Sequence, residues 1–451
     1  MTRPPATVDT IAAVATPPGV GAVAVVRLSG PASAAIGAAI AGPLPPARRA
    51  TRRPFRGAGG EAIDEGLLLY FPAPASLTGE DVVELQGHGG PVVVDQLLTR
   101  ALVLGARLAR PGEFSERAFL NGKLDLAQAE AVADLVAAGS ADAARLAVRS
   151  LQGELSRRVD ALLEQLVRLR SHVEATLDFP EDEIDALADG GVLADLDALG
   201  SATDALLASA ARGRVLRDGL RVVIAGAPNA GKSSLLNALA GHDAAIVTAI
   251  PGTTRDVLRE YLQIDGLPLH VVDTAGLREG ADVVEQEGIR RAREEMAGAD
   301  RLLWVHDDTL PFAADALACA ALPPAVPVTL IRAKVDLSGR TPGLGTGDPP
   351  TLAVSAVTGA GLDALREHLK ACAGYGGTGE GEFIARRRHL DALDRARAAL
   401  AAARATAMAR RPIELVAEDL RQAQQALGEI TGAFAPDDLL DRIFATFCIG
   451  K

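Results

Sequence analysis

The residues best suited to chemistry lie at 226–233, where the chain reads Gly-Ala-Pro-Asn-Ala-Gly-Lys-Ser. This matches the phosphate-loop pattern G-x-x-x-x-G-K-[ST] at every defined position, between a β-branched run at 220–225 and an apolar helical segment. The N–H groups of such a loop bind phosphate oxygens, helped by the positive end of the following helix. We expect Lys232 to reach the β- and γ-phosphates and Ser233 to bind Mg²⁺. The pattern predicts a nucleoside triphosphate site.

Two further motifs follow in the order that a GTPase requires. Residues 251–256, Pro-Gly-Thr-Thr-Arg-Asp, resemble a switch I segment in which Thr254 closes over the γ-phosphate and completes the magnesium shell. Residues 273–276, Asp-Thr-Ala-Gly, follow an apolar strand at 269–272. Here Asp273 is predicted to hold magnesium through water, and Gly276 to donate to the γ-phosphate.

The identity of the base is indicated by two loops further along the chain. Residues 333–336, Ala-Lys-Val-Asp, and the pair Ser355-Ala356 each follow a predicted strand and resemble the base-reading loops of GTPases. Asp336 would accept from two guanine nitrogens, a contact that adenine does not offer. The usual Asn of the first loop is Ala333, which affects affinity more than base identity. The sequence therefore predicts guanine.

Hydrolysis must work without the glutamine that orients water in Ras-like proteins, because that position is Leu277. Asn229, inside the phosphate loop, is a candidate ligand for a monovalent cation between the β- and γ-phosphates, where the ion would replace an arginine finger. Four carboxylates after Asp273 are candidates for positioning water: Glu279, Asp282, Glu285 and Glu287. Each is by itself more typical of a solvated charge, and the residue pattern leaves the choice among them open.

Length and composition set limits on the remaining chain. With 451 residues, 48% hydrophobic but only 3% aromatic, the chain predicts several domains built on Ala, Val and Leu. The net charge of −12 argues against a broad nucleic-acid-binding face. The three cysteines, Cys319, Cys372 and Cys448, have no metal-ligand spacing and indicate a reducing compartment. Because no run of about 18 apolar residues occurs, we expect a soluble cytoplasmic protein without a membrane span.

The pattern along the chain predicts a multidomain α/β plus all-α fold. Strands at 9–15, 22–28, 67–71 and 82–85 and a helix at 91–104 form an N-terminal α/β domain, 1–121. Helical segments at 124–177 and 192–216 form the first half of a helical domain, 122–218. A P-loop Ras-like G domain, 219–375, is inserted before the second helical half, 376–451. The Gly-rich segment 374–381 is predicted to be a flexible linker, so the two helical halves should pack as one domain.

With these motifs in place, the chain resembles the MnmE (TrmE) family of tRNA-modification GTPases from end to end. Beyond the G-domain motifs, the resemblance includes residues 9–16, 24–30, 80–90, 110–130 and 447–451. The last two segments, Arg-Pro-Gly-Glu-Phe-Ser-Glu-Arg and onward to Glu130, and the C-terminal Phe-Cys-Ile-Gly-Lys, are highly specific, since generic G proteins lack them.

The resemblance implies a folate site in the N-terminal domain, for a 5-formyl or 5,10-methylene tetrahydrofolate. The matching positions are Arg27, Glu84, Lys123 and Lys451. Cations suit the glutamate tail of such a cofactor, and a carboxylate suits donors on its pterin ring. Cys448 matches a family cysteine needed for modification, in a covalent or a structural role. Without the resemblance, each of these would be taken for an ordinary surface group.

The resemblance also implies the details of the G domain. The family's potassium ligands match Asn229, Thr248, Ile250 and Thr253, and its catalytic carboxylate matches Glu285, which would act with Lys232 and Thr254. Magnesium would be held by Ser233, Thr254 and, through water, Asp273. The predicted GTP-binding set is Asn229, Ala230, Gly231, Lys232, Ser233, Ser234, Thr248, Thr253, Thr254, Asp273, Gly276, Lys334, Asp336, Ser355 and Ala356.

The partners implied are a second copy of the chain, an MnmG-type protein that uses FAD and NADH, and tRNA. The family dimerises through its N-terminal domain, and its G domains meet when potassium and GTP are bound. With its partner, the family places an aminomethyl or carboxymethylaminomethyl group on C5 of the tRNA wobble uridine.

Three other functions remain open to test. A ribosome-assembly or RNA-binding GTPase would share the G domain, but the best basic cluster lies on helices and is better explained as a solvated face: Arg386, Arg387, Arg388, Arg395, Arg397, Arg404, Arg410 and Arg411. A folate-dependent one-carbon transferase without a nucleotide function is disfavoured by the intact phosphate loop. A non-hydrolysing scaffold is conceivable because of Leu277 and Ala333.

Overall fold

The computed structural model describes residues 9–178, 191–241, 259–273, 296, 298–311, 326–375, 383–434 and 436–450. The chain divides into two compact units. The first contains Met1–Ala133, Ser150–Thr203 and Ala392–Lys451, and the second contains Asp134–Arg149 and Asp204–Asp391.

The described elements are strands and helices in alternating blocks. The strands are β1 Ile11–Val14, β2 Gly21–Ser29, β3 Thr51–Arg56, β4 Ala62–Phe71, β5 Val82–Gly89, β6 Arg107–Leu108, β7 Leu220–Gly226, β8 Arg259–Ile264, β9 Leu267–Asp273, β10 Arg301–Asp307, β11 Val328–Ala333, β12 Gly343–Gly345 and β13 Thr351–Val354. The helices are α1 Ser33–Ala41, α2 Pro91–Val103, α3 Glu113–Leu120, α4 Leu126–Ala137, α5 Ala141–Leu151, α6 Glu154–Asp178, α7 Gly191–Asp218, α8 Lys232–Ala240, α9 Val335–Ser338, α10 Leu362–Cys372, α11 Arg387–Met408, α12 Ile413–Thr431 and α13 Asp437–Phe444.

The first unit contains a six-stranded sheet in the order β3-β4-β5-β2-β1-β6, antiparallel except for the β1–β6 pair. Side chains alternate across a strand, so in β2 Val26 and Leu28 enter a core shared with α1 and α2, while Arg27 lies on the opposite face. The same alternation in β5 buries Val83 and Leu85 and puts Glu84 on the face of Arg27. The sheet therefore separates an apolar core from a polar face.

Helices from both ends of the chain pack together in the first unit. The 25-residue helix α6 lies along α12, and Arg170 of α6 donates to Gln424 of α12 at 2.7 Å. Intrahelical pairs one turn apart, such as Glu164–Arg168 and Arg170–Glu174, support the exposed side of α6. One helix from each predicted helical half thus packs against the other in this unit.

The second unit contains a seven-stranded sheet in the order β12-β13-β11-β10-β7-β9-β8. Strands β7, β9, β10, β11 and β13 are parallel, so their carboxyl ends meet at one edge. In β7, Val222 and Ile224 enter one core, and Val223 and Ala225 enter another. Both faces are therefore covered, as is typical of a parallel sheet.

The multidomain α/β plus helical fold class is confirmed. The predicted N-terminal strands correspond to β1, β2, β4 and β5, and the strand before the phosphate loop corresponds to β7. Strand β3 and helix α1 were not predicted. Pro54 and three arginines disfavour a central strand, and β3 accommodates them because it pairs only with β4, at the edge of the sheet.

No helix in the described part of the chain is both long enough and apolar enough to cross a membrane.

Candidate functional site

The phosphate loop connects the carboxyl end of β7 to the first turn of α8. At Gly226 the backbone φ is +146°, and a Cβ added there would lie 2.2 Å from the carbonyl oxygen of Val305. Only glycine allows the chain to turn this close to β10. The loop therefore ends at the N-terminus of α8, where backbone N–H groups are available for an anion.

Lys232 is held inside the curve of this loop. It is the first residue of α8, its side chain is buried, and its Nζ donates to the carbonyl oxygens of Gly226 and Ala227 at 3.0 and 2.8 Å. These bonds fix the ammonium where the loop would surround a phosphate. Ala230 is buried beneath the loop, while Asn229, Ser233 and Ser234 are exposed. This arrangement fits the predicted role of the loop.

Two of the three residues predicted for magnesium, Ser233 and Asp273, have their backbones at the same edge of the sheet. Ser233 follows Lys232 in α8, and Asp273 is the last residue of β9, where its backbone is in register with Ile224 of β7. A hydroxyl and a carboxylate are the hard oxygen ligands that Mg²⁺ prefers, so the donor set fits this ion.

The base-reading loop follows β11 and is connected to the phosphate loop. Lys334 has a left-handed backbone, with φ +63°, and is the N-cap residue just before α9. Its Nζ donates to the carbonyl oxygen of Asn229 at 2.9 Å and to Oδ2 of Asp307 at 2.6 Å. Asp336, in the first turn of α9, is exposed. The structure thus brings Lys334 and Asn229 together and adds Asp307, which the sequence analysis missed.

Asp307, the last residue of β10, and Asp308, the residue after it, stabilise this loop. Hydrogen bonds from Lys334 and Thr309 lower the pKa of Asp307 to about 2. Burial alone would raise the pKa of Asp308, but Arg340, Ser338 and Arg332 hold it below its usual value. Both side chains are therefore ionised at neutral pH. An apolar strand that ends in two aspartates was the sequence signal that could have identified them.

The second base-reading loop is a tight turn. Ser355 is completely buried, its N–H donates to the carbonyl oxygen of Ala360 at 2.8 Å, and its Oγ accepts from the N–H of Thr358 at 3.2 Å. Ala356, two residues after β13 ends, is partly exposed. Because β13 lies beside β11, this turn stands next to the first base-reading loop.

A second cluster of site residues lies on the polar face of the first unit's sheet. Arg27 and Glu84 are register partners in β2 and β5, and Arg27 Nε donates to Glu84 Oε1 at 2.9 Å. Gln86 donates to the other oxygen of Glu84 at 3.0 Å, and the Arg27 guanidinium lies 5.7 Å from the ring centre of Phe114. A cation and a carboxylate held side by side, each oriented by a neighbour, fit a ligand that carries both donors and an acid.

The C-terminal segment joins this cluster. Arg27 Nη1 donates to the carbonyl oxygen of Gly450 at 3.3 Å, and the N–H of Gly112 donates to that of Cys448 at 3.3 Å. Phe447 is buried with Phe444 against the side of α4. Cys448 is an exposed free cysteine. The tail is therefore docked beside Arg27 as far as Gly450. The next residue in the sequence, the predicted folate residue Lys451, lies outside the described residues.

Lys123 is the predicted folate residue that is not brought to this cluster. Its Nζ donates to the carbonyl oxygen of Pro74 at 3.0 Å, and none of its contacts within the described part of the chain reaches Arg27 or Glu84. Several other predicted residues lie outside the described residues: Thr248, Ile250, Thr253, Thr254, Gly276 and Glu285, as well as Glu279, Asp282 and Glu287.

The arginines of the C-terminal helical segment pair with neighbouring carboxylates. The pairs are Arg386–Asp134, Arg387–Asp391, Arg395–Glu429, Arg397–Asp394 and Arg404–Asp197. Local pairing offsets the charge that would attract a phosphate backbone. These contacts agree with the interpretation as a solvated helical face.

The parallel sheet, its phosphate loop and the base-reading loop beside it define a P-loop GTPase. The family model "GTP-binding protein TrmE N-terminus" matches residues 10–123, and the model "MnmE helical domain" matches residues 126–448. The chain belongs to the MnmE (TrmE) family.

Relatives and solved structures are similar to the chain over different lengths. The protein named tRNA modification GTPase MnmE in Pseudomonas aeruginosa (strain UCBPP-PA14) is 60% identical to this chain, over 99% of this chain and 100% of its own length. The protein of the same name in Stutzerimonas stutzeri (strain A1501) is also 60% identical, over 98% of this chain and 99% of its own length. The G domain of the T. maritima FeoB iron transporter is 25% identical, covering 34% of this chain and 98% of its own, with a TM-score of 0.26. A single-residue variant of Aquifex aeolicus Era bound to GDP and AlF4⁻ is 26% identical, covering 40% and 66%, with a TM-score of 0.26.

Proposed function

We propose that this protein binds and hydrolyses GTP and that it acts in the modification of the tRNA wobble uridine. The observation that carries the proposal is the phosphate loop with Lys232 held inside it, in a chain that matches tRNA modification GTPases over 98–100% of both lengths. Function is assigned here from the site and the full-length match, since a P-loop fold alone serves many activities.

Magnesium would be held at the carboxyl edge of the second unit's sheet by Ser233 and Thr254, with Asp273 acting through water. When bound, the ion neutralises charge on the β- and γ-phosphates. Lys232 contributes a second positive charge from inside the loop, and Asp336 selects guanine. The exposed position of Ser233 beside Lys232 supports this assignment.

Leu277 stands where Ras-like proteins have glutamine, so we assign the work on the γ-phosphate to other groups. Asn229, Thr248, Ile250 and Thr253 would hold potassium, which supplies positive charge between the phosphates. Glu285 would position the attacking water. Asn229 supports this proposal, because its backbone lies in the phosphate loop with φ +60° and its side chain is exposed.

The first unit would bind a 5-formyl or 5,10-methylene tetrahydrofolate, the source of the one-carbon unit. Arg27, Glu84, Lys123 and Lys451 would contact it. The ion pair of Arg27 and Glu84, and the docking of Gly450 on Arg27, support the site because they bring the C-terminus beside these two residues. Lys123 would join them only by moving from Pro74.

The partners that we propose are a second copy of the chain and an MnmG-type protein that uses FAD and NADH. Together with this partner, the protein would place an aminomethyl or carboxymethylaminomethyl group on C5 of the wobble uridine, with Cys448 taking part in modification. Because the substrate would be tRNA, we propose the cytoplasm as the site of action.

GTP and ATP hydrolysis by the full-length protein, measured in potassium and in sodium buffers, tests the proposal. We expect turnover that requires guanine and is much faster in potassium, and we expect Lys232→Ala to abolish it. The control is Lys370→Ala, which removes a lysine of the same unit that pairs with Asp265 and Glu367, away from the phosphate loop in the sequence. Equal rates in the two salts would contradict the potassium mechanism. Unmodified wobble uridine in cells carrying Lys232→Ala would support the link to tRNA.

A further inference from the structure

Asp307 lies at the point where the base-reading and phosphate loops meet. It is the last residue of β10, in register with Ala333 of β11. Its Oδ1 accepts from the N–H and Oγ1 of Thr309 at 3.0 and 2.7 Å, and its Oδ2 accepts from Lys334 Nζ at 2.6 Å. The two bonds from Thr309 fix the carboxylate, so that its second oxygen is directed at the lysine.

Lys334, held by Asp307, also forms a hydrogen bond to the phosphate loop. The same Nζ donates to the carbonyl oxygen of Asn229 at 2.9 Å. A lysine has a flexible stem that loses conformational entropy when its ammonium is fixed, so a charged partner of fixed position favours the bridging rotamer. The contacts therefore form a chain from Asp307 through Lys334 to Asn229.

The contacts from Asp307 through Lys334 to Asn229 matter for the spacing of the two loops because this protein has Ala333. The residue at this position in the usual N-K-x-D loop is an asparagine, whose amide can bond to neighbouring loops. The Ala333 methyl is buried and faces the phosphate loop, since a Cβ added at Gly231 would lie 3.5 Å from it. A methyl group packs but forms no hydrogen bond.

We propose that Asp307 is a positioning residue for guanine nucleotides, which fixes Lys334 against the carbonyl of Asn229 and so sets the spacing between the two loops, a role that residue 333 does not fill in this chain. Asp307 acts through Lys334 and does not itself contact the nucleotide. The inference rests on the proposed binding of GTP by this unit.

The test is the rate at which fluorescent GDP is released from full-length Asp307→Asn. The amide keeps the size of the side chain but removes its charge, so the Lys334 bridge should weaken. We expect release to be roughly 10-fold faster, the scale of one lost charge-assisted hydrogen bond. The preference for GTP over ATP should not change, because Asp336 remains.

The matched control is Asp363→Asn, which makes the same chemical change in the same unit. The Asp363 side chain is 96% exposed and pairs with Arg366 on the surface of α10. Its GDP release should equal that of the unaltered protein. GDP release from Asp307→Asn at the rate of the unaltered protein would overturn the inference. A lowered melting temperature without faster GDP release would also overturn it, because Asp307 would then have only a structural role.

A double-mutant cycle with Lys334→Met tests whether Asp307 acts through the lysine. If it does, the double variant releases GDP at the same rate as Lys334→Met alone. If the effects of the two substitutions on the release rate add, the inference is overturned. Ala333→Asn should reduce the effect of Asp307→Asn to less than about threefold, since an amide can then bridge the loops directly. An undiminished effect would contradict the role assigned to Ala333. An unaltered chain that binds no GDP would instead overturn the proposed function.

Discussion

Among single residues, the carboxylate that we propose to position the attacking water should affect hydrolysis without affecting nucleotide binding. We expect Glu285→Ala to lower GTP turnover by about 10² or more, the scale for one group that positions water or stabilises charge. GDP affinity should not change, because the phosphate and base contacts lie elsewhere. Single-turnover hydrolysis and a fluorescent-nucleotide titration measure the two effects separately.

The control for this variant is Glu287→Ala, two positions along in the same run of charges. It should hydrolyse GTP at nearly the unaltered rate. If Glu285→Ala also did so, the role would pass to Glu279 or Asp282.

The sequence predicted the residues of local motifs better than their distant partners. Lys232 and Lys334 were identified because each belongs to a short pattern with a known geometry. Asp307 was missed because its bond to Lys334 spans 27 positions and depends on the register of β10 and β11. Likewise, the contact of Arg27 with Gly450 spans 423 positions, and no local pattern encodes it.

At the scale of elements, Tyr375, three residues after α10 ends, connects α5 to the turn between β8 and β9 in the second unit. Its hydroxyl lies 2.8 Å from Asp142 Oδ2 of α5 and 2.8 Å from the carbonyl oxygen of Asp265, in the turn between β8 and β9. Burial and the hydrogen bond to Asp142 raise the pKa of Tyr375 to about 12. The neutral hydroxyl thus contributes to the folded state.

Tyr375→Phe should therefore destabilise the protein by about 1 kcal/mol at neutral pH, the value of a typical hydrogen bond. Because the pKa of Tyr375 in the folded protein lies above the ordinary tyrosine value of 10.0, the contribution is complete below pH 10 and is lost as the pH rises towards 12. Urea unfolding of both proteins between about pH 8 and pH 11 measures the difference. A difference that stays constant across this range would contradict the account.

The elements themselves were predictable to different degrees. Strands such as β7 and β9 were identified from compact apolar runs, since a strand buried on both faces has few polar residues. Strand β3 was missed because its sequence, Thr-Arg-Arg-Pro-Phe-Arg, resembles a loop. It can form a strand because it lies at the edge of the sheet, where a proline without an N–H is tolerated. The order of strands is a property of the tertiary structure, so the local sequence does not show it.

At the scale of the whole molecule, the two candidate sites belong to different units. The phosphate and base-reading loops lie in the second unit, and Arg27, Glu84 and the docked tail lie in the first. The motifs for each site were readable from the sequence. The resemblance grouped Lys451 of the tail with Arg27 and Glu84, but the hydrogen bond that docks Gly450 on Arg27 joins residues far apart in the chain and could not be read from any one motif.

Gly450→Ala should weaken ligand binding at the candidate folate site without affecting the GTPase site. Gly450 has φ +93°, and a Cβ there would lie 2.3 Å from the carbonyl oxygen of Val14, so alanine should displace the tail from Arg27. Strain of this kind costs on the order of 1–3 kcal/mol, which predicts roughly 10-fold weaker binding of 5-formyl-tetrahydrofolate. GTP turnover should stay within about twofold, because no residue of the second unit is changed.

Calorimetry with the folate and a GTPase assay on the same preparation measure both sites. Gly200→Ala is the matched control, because a Cβ at that position in α7 would meet open space, and neither activity should fall. Unchanged folate binding in Gly450→Ala would contradict the proposed role of the tail. Equal losses of folate binding and GTP turnover would mean that the tail supports the whole molecule and not one site. Loss of folate binding alone would establish the docked tail as part of a ligand site that works independently of GTP.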